Sequence, residues 1–382
     1  MNHDSSQKPR VALIYDRVNT RYGGAEQVLL QLHRIFPDAP LFTSVYDPLK
    51  AVWASSIDVR ASFIQKIPFL KNFHRSLVFL MPLAFENFNL KEFDIVISIT
   101  SAEAKGVLSS PDQLHVCYLL TPTRYLWSHQ AEYQKHWLTG GIRKIVFRYL
   151  KWWDEAAIYR PDVIIPISKL IQVRTEQYYH RKTLSVIYPP VSFEKSEEDK
   201  SIENFPENFY LIVARLVSYK RVDLAINACQ KLNRNLVIIG EGPDKARLQH
   251  LAKNTDSLAK ITFLSNLSQA VVQSYYQRCT AFLAPGEEDF GIATLEASLS
   301  GKPVIVFNKS GAAELIKDTE TGILLQKQTV DELTESIKKI ESTTWIKRQI
   351  QESVSGLDAV QFQSQFKRVI LEQWNLFKKG NL

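Results

Sequence analysis

Two glutamates eight positions apart, Glu288 and Glu296, are the side chains with the clearest chemical potential in this sequence. They lie in the segment AFLAPGEEDFGIATLEASLSGKP, residues 281–303. The apolar start of the segment predicts a buried strand, its Pro-Gly pair a turn, and the apolar spacing after Gly291 a helix. We therefore expect Glu288 in the loop before the helix and Glu296 in its second turn, where the two carboxylates could hold different parts of one ligand.

The start of this predicted helix is also suited to an anion. The first backbone N–H groups of a helix have no acceptor within it, and the helix dipole favours negative charge there. A phosphate would fit at this position, so a nucleotide sugar could use the helix start and both carboxylates together. The alternative is an acidic loop that only caps the helix, with Glu296 in solvent.

Two cations follow the first predicted strand of the second half. The run FYLIVA, residues 209–214, indicates a buried strand, and Arg215 and Lys220 stand between it and a helix that extends to Leu232. A guanidinium can fork onto one phosphate while an ammonium reaches the next as a point charge, so the pair suits a diphosphate. The alternative is a solvated basic turn.

A glycine pair follows the first predicted strand of the chain. Residues 10–16, RVALIYD, indicate that strand, and Gly23 and Gly24 precede an amphipathic helix that extends to Phe36. Adjacent glycines let a backbone approach a phosphate or a sugar closely, although a plain tight turn has the same pattern.

Length and element order predict an α/β protein of two doubly wound domains. A chain of 382 residues is too long for one ordinary core. Strand and helix patterns alternate in both halves, and ligands of such folds bind outside the carboxyl ends of the strands. We predict domains at 1–190 and 191–358, a polar linker at 192–208, and a last helix within 359–382 that crosses back to the first domain.

Cysteine usage and hydropathy favour a cytoplasmic protein. Cys117, Cys229 and Cys279 are dispersed and odd in number, which indicates a reducing compartment. The polar start MNHDSSQKPR is followed by an apolar run too short for a signal peptide or a membrane span. We therefore expect any membrane contact to be peripheral and on the inner face.

The net charge of +7 is confined to the first half of the chain. Residues 1–190 hold 23 lysines and arginines against 16 acidic residues, whereas residues 191–382 hold 24 of each. Two stretches without acidic residues, 59–85 and 133–153, mix bases with large apolar side chains, a composition that suits an anionic membrane surface. Within the second stretch, the apolar stripe from Ile142 to Trp153 also suits a helix that faces the core.

The segment with Glu288 and Glu296 resembles the E-x7-E signature of retaining glycosyltransferases of the GT-B fold, in the large family four. That family includes bacterial mannosyltransferases of surface-polysaccharide assembly. Gly-Gly-Ala-Glu at 23–26 and Gly-Lys-Pro-Val at 301–304 also match it. The resemblance implies two Rossmann-like domains that face a cleft, an N-terminal one for the acceptor and a C-terminal one for the nucleotide sugar.

The resemblance also implies roles for individual residues. Catalytic roles fall on Glu288, Arg215 and Lys220, and contacts to the donor fall on Gly23, Gly24, Leu264, Phe290, Gly291, Ile292, Ala293 and Glu296. Thr121 and Arg124 are implied, more weakly, to contact the acceptor. The family often has His-Thr-Pro where this chain has Leu120-Thr121-Pro122, so any contribution from that histidine side chain is missing here.

The activity implied is metal-independent hexosyl transfer from a nucleotide sugar, with no other cofactor. Among donors GDP-mannose is the first choice, and the acceptor would be an oligosaccharide or a polyprenyl-linked glycan in polysaccharide biosynthesis. Alternatives are a UDP-sugar-dependent enzyme with a soluble acceptor, a related epimerase or sugar synthase, and a catalytically weak scaffold subunit. A basic nucleic-acid-binding module is a further alternative, but it leaves the acidic loop around Glu288 unexplained, so we expect no nucleic-acid partner.

Overall fold

The computed structural model describes residues 8–67, 78–128, 130, 141–191, 206–253 and 257–382, and divides the chain into two compact units. The first unit consists of Met1–Tyr188 together with Phe362–Leu382. The second unit consists of Pro189–Gln361. Each contains a six-stranded parallel sheet accompanied by helices.

The sheet of the first unit has the strand order β3-β2-β1-β4-β5-β6. Its strands are β1 (Val11–Tyr15), β2 (Leu41–Thr43), β3 (Val59–Ala61), β4 (Ile95–Thr100), β5 (Leu114–Leu119) and β6 (Val163–Pro166). The helices between them and directly after them are α1 (Gly24–Ile35), α2 (Met81–Glu86), α3 (Gly141–Ala157) and α4 (Lys169–Tyr179).

The second unit repeats this plan with the order β12-β11-β10-β7-β8-β9. Its strands are β7 (Phe209–Val213), β8 (Asn235–Ile239), β9 (Ile261–Leu264), β10 (Phe282–Ala284), β11 (Val304–Phe307) and β12 (Gly322–Leu325). Its helices are α5 (Val222–Leu232), α6 (Lys245–Lys253), α7 (Gln269–Arg278), α8 (Ile292–Leu299), α9 (Val330–Ser342) and α10 (Lys347–Glu352), and α11 (Ala359–Lys378) ends the chain's helices.

In both sheets the first strand of the unit lies beside the fourth, β1 beside β4 and β7 beside β10. The chain winds outward in opposite directions from this central pair, so the connections diverge at the strands' carboxyl ends and leave a crevice there. Strands β1, β4 and β5 are buried at every position, as expected of parallel strands covered on both faces. The prediction of two doubly wound α/β domains is confirmed.

Asp16 fastens the central strand pair of the first unit. It follows β1, is buried, and accepts hydrogen bonds from the Thr100 hydroxyl at 2.8 Å, the Ser101 backbone N–H at 2.7 Å and the Ala104 backbone N–H at 2.8 Å. A charged acceptor makes these bonds stronger than bonds between neutral groups. The ends of β1 and β4 are therefore held together by one carboxylate.

Four expectations from the sequence change or lie outside the described residues. Residues 184–188 form no strand, although Leu184 and Ile187 donate backbone N–H bonds to β6 carbonyls. Helix α3 does not bury its whole predicted stripe, since Leu150 and Trp153 are buried but Ile145 and Tyr149 are exposed. The basic stretch at 68–77, with Lys71, and residues 192–205 of the predicted linker lie outside the described residues.

Helix α11 packs on the first unit through a regular apolar face. Phe362, Phe366 and Ile370 recur every four residues and are buried. The Phe366 ring meets Tyr118 of β5 edge-on, with centroids 5.3 Å apart, and Gln363 donates to Gln31 of α1 at 2.6 Å. The end of the chain thus completes the core of the first unit.

We expect Phe366→Ala to destabilise the first unit by about 3 to 5 kcal/mol, because it removes a fully buried ring and leaves a cavity against Tyr118. The control Gln365→Ala changes an exposed side chain one position away and should cost less than about 0.5 kcal/mol. Urea unfolding of both variants measures the difference. Similar small effects of the two would contradict the packing of α11.

Candidate functional site

An ion pair lies where the sheet of the second unit reverses its winding. Lys220 follows β7 in a short 3-10 helix, Ser218–Lys220, and Glu288 follows the neighbouring strand β10. The Lys220 Nζ lies 2.6 Å from Glu288 Oε1, with 18% and 14% of the two side chains exposed. Opposite charges therefore meet in a half-buried position at the switch point of the fold, where the low exposure strengthens their field.

Gly286 allows the two loops to come this close. A Cβ atom on Gly286 would lie 2.4 Å from the Cα atom of Lys220, which is a steric clash. Because the Lys220 atom belongs to the backbone, no side-chain rotation could relieve this clash. The sequence pattern showed Gly286 only as a turn residue. Its partner across the loop was not predictable, because the contact joins segments more than sixty positions apart.

The loop that carries Glu288 is also held by the loop after β11. Ser310 accepts a bond from the Glu288 backbone N–H at 3.1 Å and donates to the Gly286 carbonyl at 3.0 Å. The Gly311 backbone N–H donates to the Glu288 carbonyl at 2.8 Å, and a Cβ on Gly311 would lie 2.1 Å from the Asp289 carbonyl oxygen. Ser310 and Gly311 therefore fix the position of Glu288, a role that the sequence analysis missed.

Helix α8 begins where the sequence predicted and presents free amides. Gly291 precedes it with φ of 90°, and the Gly291 carbonyl accepts bonds from the N–H groups of Thr294 and Leu295. The first-turn amides of Ile292 and Ala293 have no acceptor within the helix, so they can meet an anion. Phe290 is buried, with 4% exposed, so only its backbone could contact a ligand.

Glu296 lies in the second turn of α8 and is held by a tyrosine. The Tyr276 hydroxyl of α7 donates to Glu296 Oε2 at 2.8 Å. Burial raises the pKa of Glu296 to about 7, and the bond from Tyr276 partly opposes this rise. Near neutral pH the carboxyl group can therefore lose its proton when the hydroxyl groups of a ligand donate hydrogen bonds to it.

Arg215 and Leu264 lie at the same edge of the sheet. Arg215 comes two residues after β7 and its side chain is exposed, while Leu264 ends β9 and accepts a backbone bond from Gly240 at 2.9 Å. The structure brings Lys220 and Glu288 into direct contact. It places Arg215 and Leu264 at the ends of their strands without a direct bond to that pair.

The predicted glycine pair in the first unit begins α1. Gly23 precedes the helix, and its carbonyl accepts the Gln27 backbone N–H at 2.9 Å. Glu26, buried in the first turn, accepts bonds from the hydroxyls of Tyr15 and Thr20, both at 3.0 Å. A Cβ atom on Gly23 would come within 3.0 Å of this carboxylate, so a glycine suits the position even without a ligand.

The predicted acceptor residues follow β5. Leu120 and Thr121 are buried, and the Thr121 hydroxyl donates to the Pro122 carbonyl at 3.1 Å, so this side chain is turned into the protein. Arg124 is half-buried. In the described ranges, no group of three or more His, Cys, Asp and Glu side chains is arranged to hold a metal ion.

Comparison with known families identifies the second unit. Residues 194–353 match the family model for glycosyl transferases group 1, which covers nearly all of Pro189–Gln361. The match covers the second unit and less than half of the whole chain. The Lys220–Glu288 pair and the start of α8 lie within the residues that match this family model.

Curated relatives match parts of the chain. An uncharacterized glycosyltransferase of Methanocaldococcus jannaschii is 29% identical over 181 residues, which cover 47% of this chain and 49% of that protein. A GDP-mannose-dependent alpha-(1-6)-phosphatidylinositol monomannoside mannosyltransferase of Mycobacterium tuberculosis is 28% identical over 141 residues, 34% of this chain and 37% of that protein. The matches thus span about half or less of these relatives' own length.

Solved structures match the fold over nearly the whole chain. A sucrose-phosphate synthase from Thermosynechococcus elongatus has a TM-score of 0.75 at 18% identity and covers 96% of this chain and 100% of that one. Anabaena HepE in complex with UDP and glucose has a TM-score of 0.69 at 18% identity, with the same coverage. At these identities the likeness shows the GT-B fold.

The raised pKa of Glu296 predicts how stability varies with pH. The carboxyl group has a pKa of 4.5 without the fold and about 7 within it, so the unfolded chain loses this proton first as the pH rises. Glu296 therefore lowers the stability of the second unit above pH 4.5, and by its full amount from about pH 7. We expect Glu296→Gln to gain stability relative to the unmodified protein across this window in thermal unfolding. Parallel pH profiles would contradict a buried carboxyl group.

Proposed function

We propose that this chain is a retaining hexosyltransferase that uses a nucleotide-sugar donor. The observation that carries the proposal is the half-buried Lys220–Glu288 pair at the switch point of a group 1 glycosyltransferase unit. Open α/β sheets bind ligands at such points, and this one offers a cation, a carboxylate and a helix start together. We assign the nucleotide sugar to the second unit and the acceptor to the first.

The diphosphate of the donor would be held by the cations and by α8. Lys220 has two further N–H donors beyond its bond to Glu288, and the exposed Arg215 adds a planar fork. The amides of Ile292 and Ala293 would complete the anion site. These groups stabilise the charge that develops on the departing diphosphate, which is the main demand of the reaction.

In the transfer step, the bond from the anomeric carbon to the diphosphate oxygen breaks and the acceptor hydroxyl oxygen bonds to that carbon. The proton of the hydroxyl leaves with the nucleoside diphosphate or to solvent. Glu288 would contact the sugar beside the reacting carbon, and Glu296, held by Tyr276, would accept bonds from the ribose hydroxyls. Leu264 would add a backbone contact to the donor.

For the donor we propose GDP-mannose, and for the acceptor a lipid-linked or oligosaccharide glycan. The support for mannose is the relative whose name states GDP-mannose dependence. A UDP-sugar is the second candidate, since a structural neighbour is a complex with UDP and glucose. A thermal-shift screen of GDP-, UDP- and ADP-sugars separates them, because a bound donor raises the melting temperature. No shift with any of them would overturn the proposal.

We propose that Lys220, Arg215 and the start of α8 neutralise the diphosphate without a divalent metal, so that the activity persists in a chelator. We further propose that the protein acts in the cytoplasm and contacts an anionic membrane surface peripherally. The charge excess in residues 1–190 supports that contact.

We expect Glu288→Gln and Glu296→Ala to impair transfer in different ways. Glu288→Gln keeps the shape of the side chain but removes its charge beside the reacting carbon, so kcat should fall by about 10²-fold or more. Glu296→Ala removes the proposed ribose contact and should mainly raise KM for the donor. Steady-state kinetics separate the two, and an unchanged kcat in Glu288→Gln would contradict the assigned site.

Charge removal at the diphosphate site should weaken the product complex as well. We expect Lys220→Ala and Arg215→Ala each to lower the affinity for the nucleoside diphosphate by about tenfold or more, because bonds to a charged group are lost. Lys220→Arg should rescue only in part, since a planar fork replaces a point charge. Calorimetry measures these affinities.

The matched control for this experiment is Lys260→Ala. Lys260 is an exposed lysine of the same unit, directly before β9, and so lies at the opposite edge of the sheet. Its replacement should leave the affinity unchanged. Equal affinity in Arg215→Ala, Lys220→Ala and Lys260→Ala would show that the diphosphate does not bind at this site.

A further inference from the structure

Helix α3 carries an apolar stripe on its solvent side. Ile145, Tyr149 and Trp152 are 68%, 38% and 65% exposed, and their spacing of four and three residues places them on one face. We call these three side chains the outer stripe. Exposed single apolar residues are common, but three on one face of a helix, two of them aromatic, form a contiguous patch.

The opposite side of α3 is buried in the first unit. The outer stripe is therefore not the side of the helix that packs into the core. Its inward residues Leu150, Trp153, Asp154 and Ala157 are each at most 4% exposed. Asp154 pairs with the Lys105 Nζ at 2.5 Å, and both side chains are almost fully buried. The orientation of α3 is therefore fixed by its inner face.

Positive charge flanks the outer stripe. Lys144 and Arg148 are exposed next to Ile145 and Tyr149, and neither forms an ion pair among the residues that the structure describes. Glu155, near the end of α3, is the only exposed acidic residue in the described part of this helix. The patch therefore has an apolar, aromatic centre and a basic margin.

This combination fits the interface of an anionic bilayer. Tryptophan and tyrosine side chains favour the depth of the lipid headgroups, and lysine and arginine are attracted to anionic headgroups. A helix of this kind lies on the surface and does not span it. None of the helices in the described ranges is long and apolar enough to cross a membrane.

We propose that the outer stripe, together with Lys144 and Arg148, docks the first unit onto an anionic lipid bilayer. This inference rests on the proposed peripheral membrane contact and names the surface that makes it. It does not depend on the donor site, because none of these residues belongs to the second unit.

The docking helix is bonded directly to the loop that we assign to the acceptor. On its inner side, Asp154 accepts bonds from the Thr123 hydroxyl at 2.6 Å and the Trp127 indole N–H at 2.8 Å. The Lys151 ammonium lies over the Trp127 ring, 4.4 Å from its centroid. A bilayer held on the outer side of α3 would thus lie a helix's width from the loop at 120–127, which favours an acceptor that is itself anchored in lipid.

The test uses the full-length protein and vesicles in a flotation assay at low salt. One set of vesicles is pure phosphatidylcholine and the other is an equimolar mixture of phosphatidylcholine and phosphatidylglycerol. The variants are Lys144→Glu with Arg148→Glu, and Ile145→Ser with Trp152→Ser. The control is Lys253→Glu, Leu258→Ser and Lys260→Glu, which changes exposed bases and an exposed leucine of the second unit.

We expect binding to the anionic vesicles only, weakened at least about tenfold by either variant pair on α3 and unchanged in the control. Added salt should release the protein more completely when Ile145 and Trp152 are serine, because the apolar part of binding resists salt. Circular dichroism and nucleoside diphosphate binding should be unchanged in all variants, which separates a failure of docking from a failure of the donor site.

Three results would overturn the proposal. One is the absence of binding to anionic vesicles at low salt by protein that still binds nucleoside diphosphate. Another is an equal loss of binding in the α3 variants and the control, which would show that overall charge is responsible. The third is a concentration-dependent dimer that the α3 variants abolish, which would show that a second copy of the chain covers the outer stripe.

Discussion

The contact between Lys220 and Glu288 is the constraint on which the candidate site depends. It joins the ends of β7 and β10, the two strands between which the sheet changes its winding direction. The two charged groups can approach to 2.6 Å there because Gly286 has no side chain and because Ser310 and Gly311 hold the Glu288 backbone. Steric, hydrogen-bonding and Coulombic requirements thus coincide at one crevice, and the amides at the start of α8 follow directly after it in the chain.

The first unit also joins the ends of its two central strands, but through hydrogen bonds to one carboxylate and not through an ion pair. Its switch point lies between β1 and β4 and is closed by Asp16, whose carboxylate accepts bonds from Thr100, from both the backbone and the hydroxyl of Ser101, and from Ala104. Four hydrogen bonds occupy the acceptor sites of this buried carboxylate, so its role is to hold the fold together. The Lys220–Glu288 pair keeps further donors and acceptors and is partly exposed, so it is better suited than Asp16 to contact a ligand.

The sequence predicted strands and turns, which depend on neighbouring residues. It did not predict contacts between segments that are distant in the chain. Continuous apolar runs such as residues 209–214 and 95–100 predict buried parallel strands, and the acidic turn before α8 follows from Pro285 and Gly286. The backbone support of Glu288 by Ser310 could not be predicted, because it requires the position of β11 relative to β10. The residues 184–188 failed as a strand for a related reason: their apolar composition suits one, but they share only two backbone bonds with β6.

Helix α3 shows why periodicity alone could not tell its faces apart. The neighbours Trp152 and Trp153 are equally apolar, yet one is 65% exposed and the other 4%. The difference comes from Asp154, which must meet the Lys105 ammonium to be buried at all. The cost of removing both charges from water offsets most of their mutual attraction, so the net contribution of the pair to stability is small. What the pair does determine is orientation: α3 has one rotation that satisfies Asp154, and that rotation points Ile145, Tyr149 and Trp152 outward.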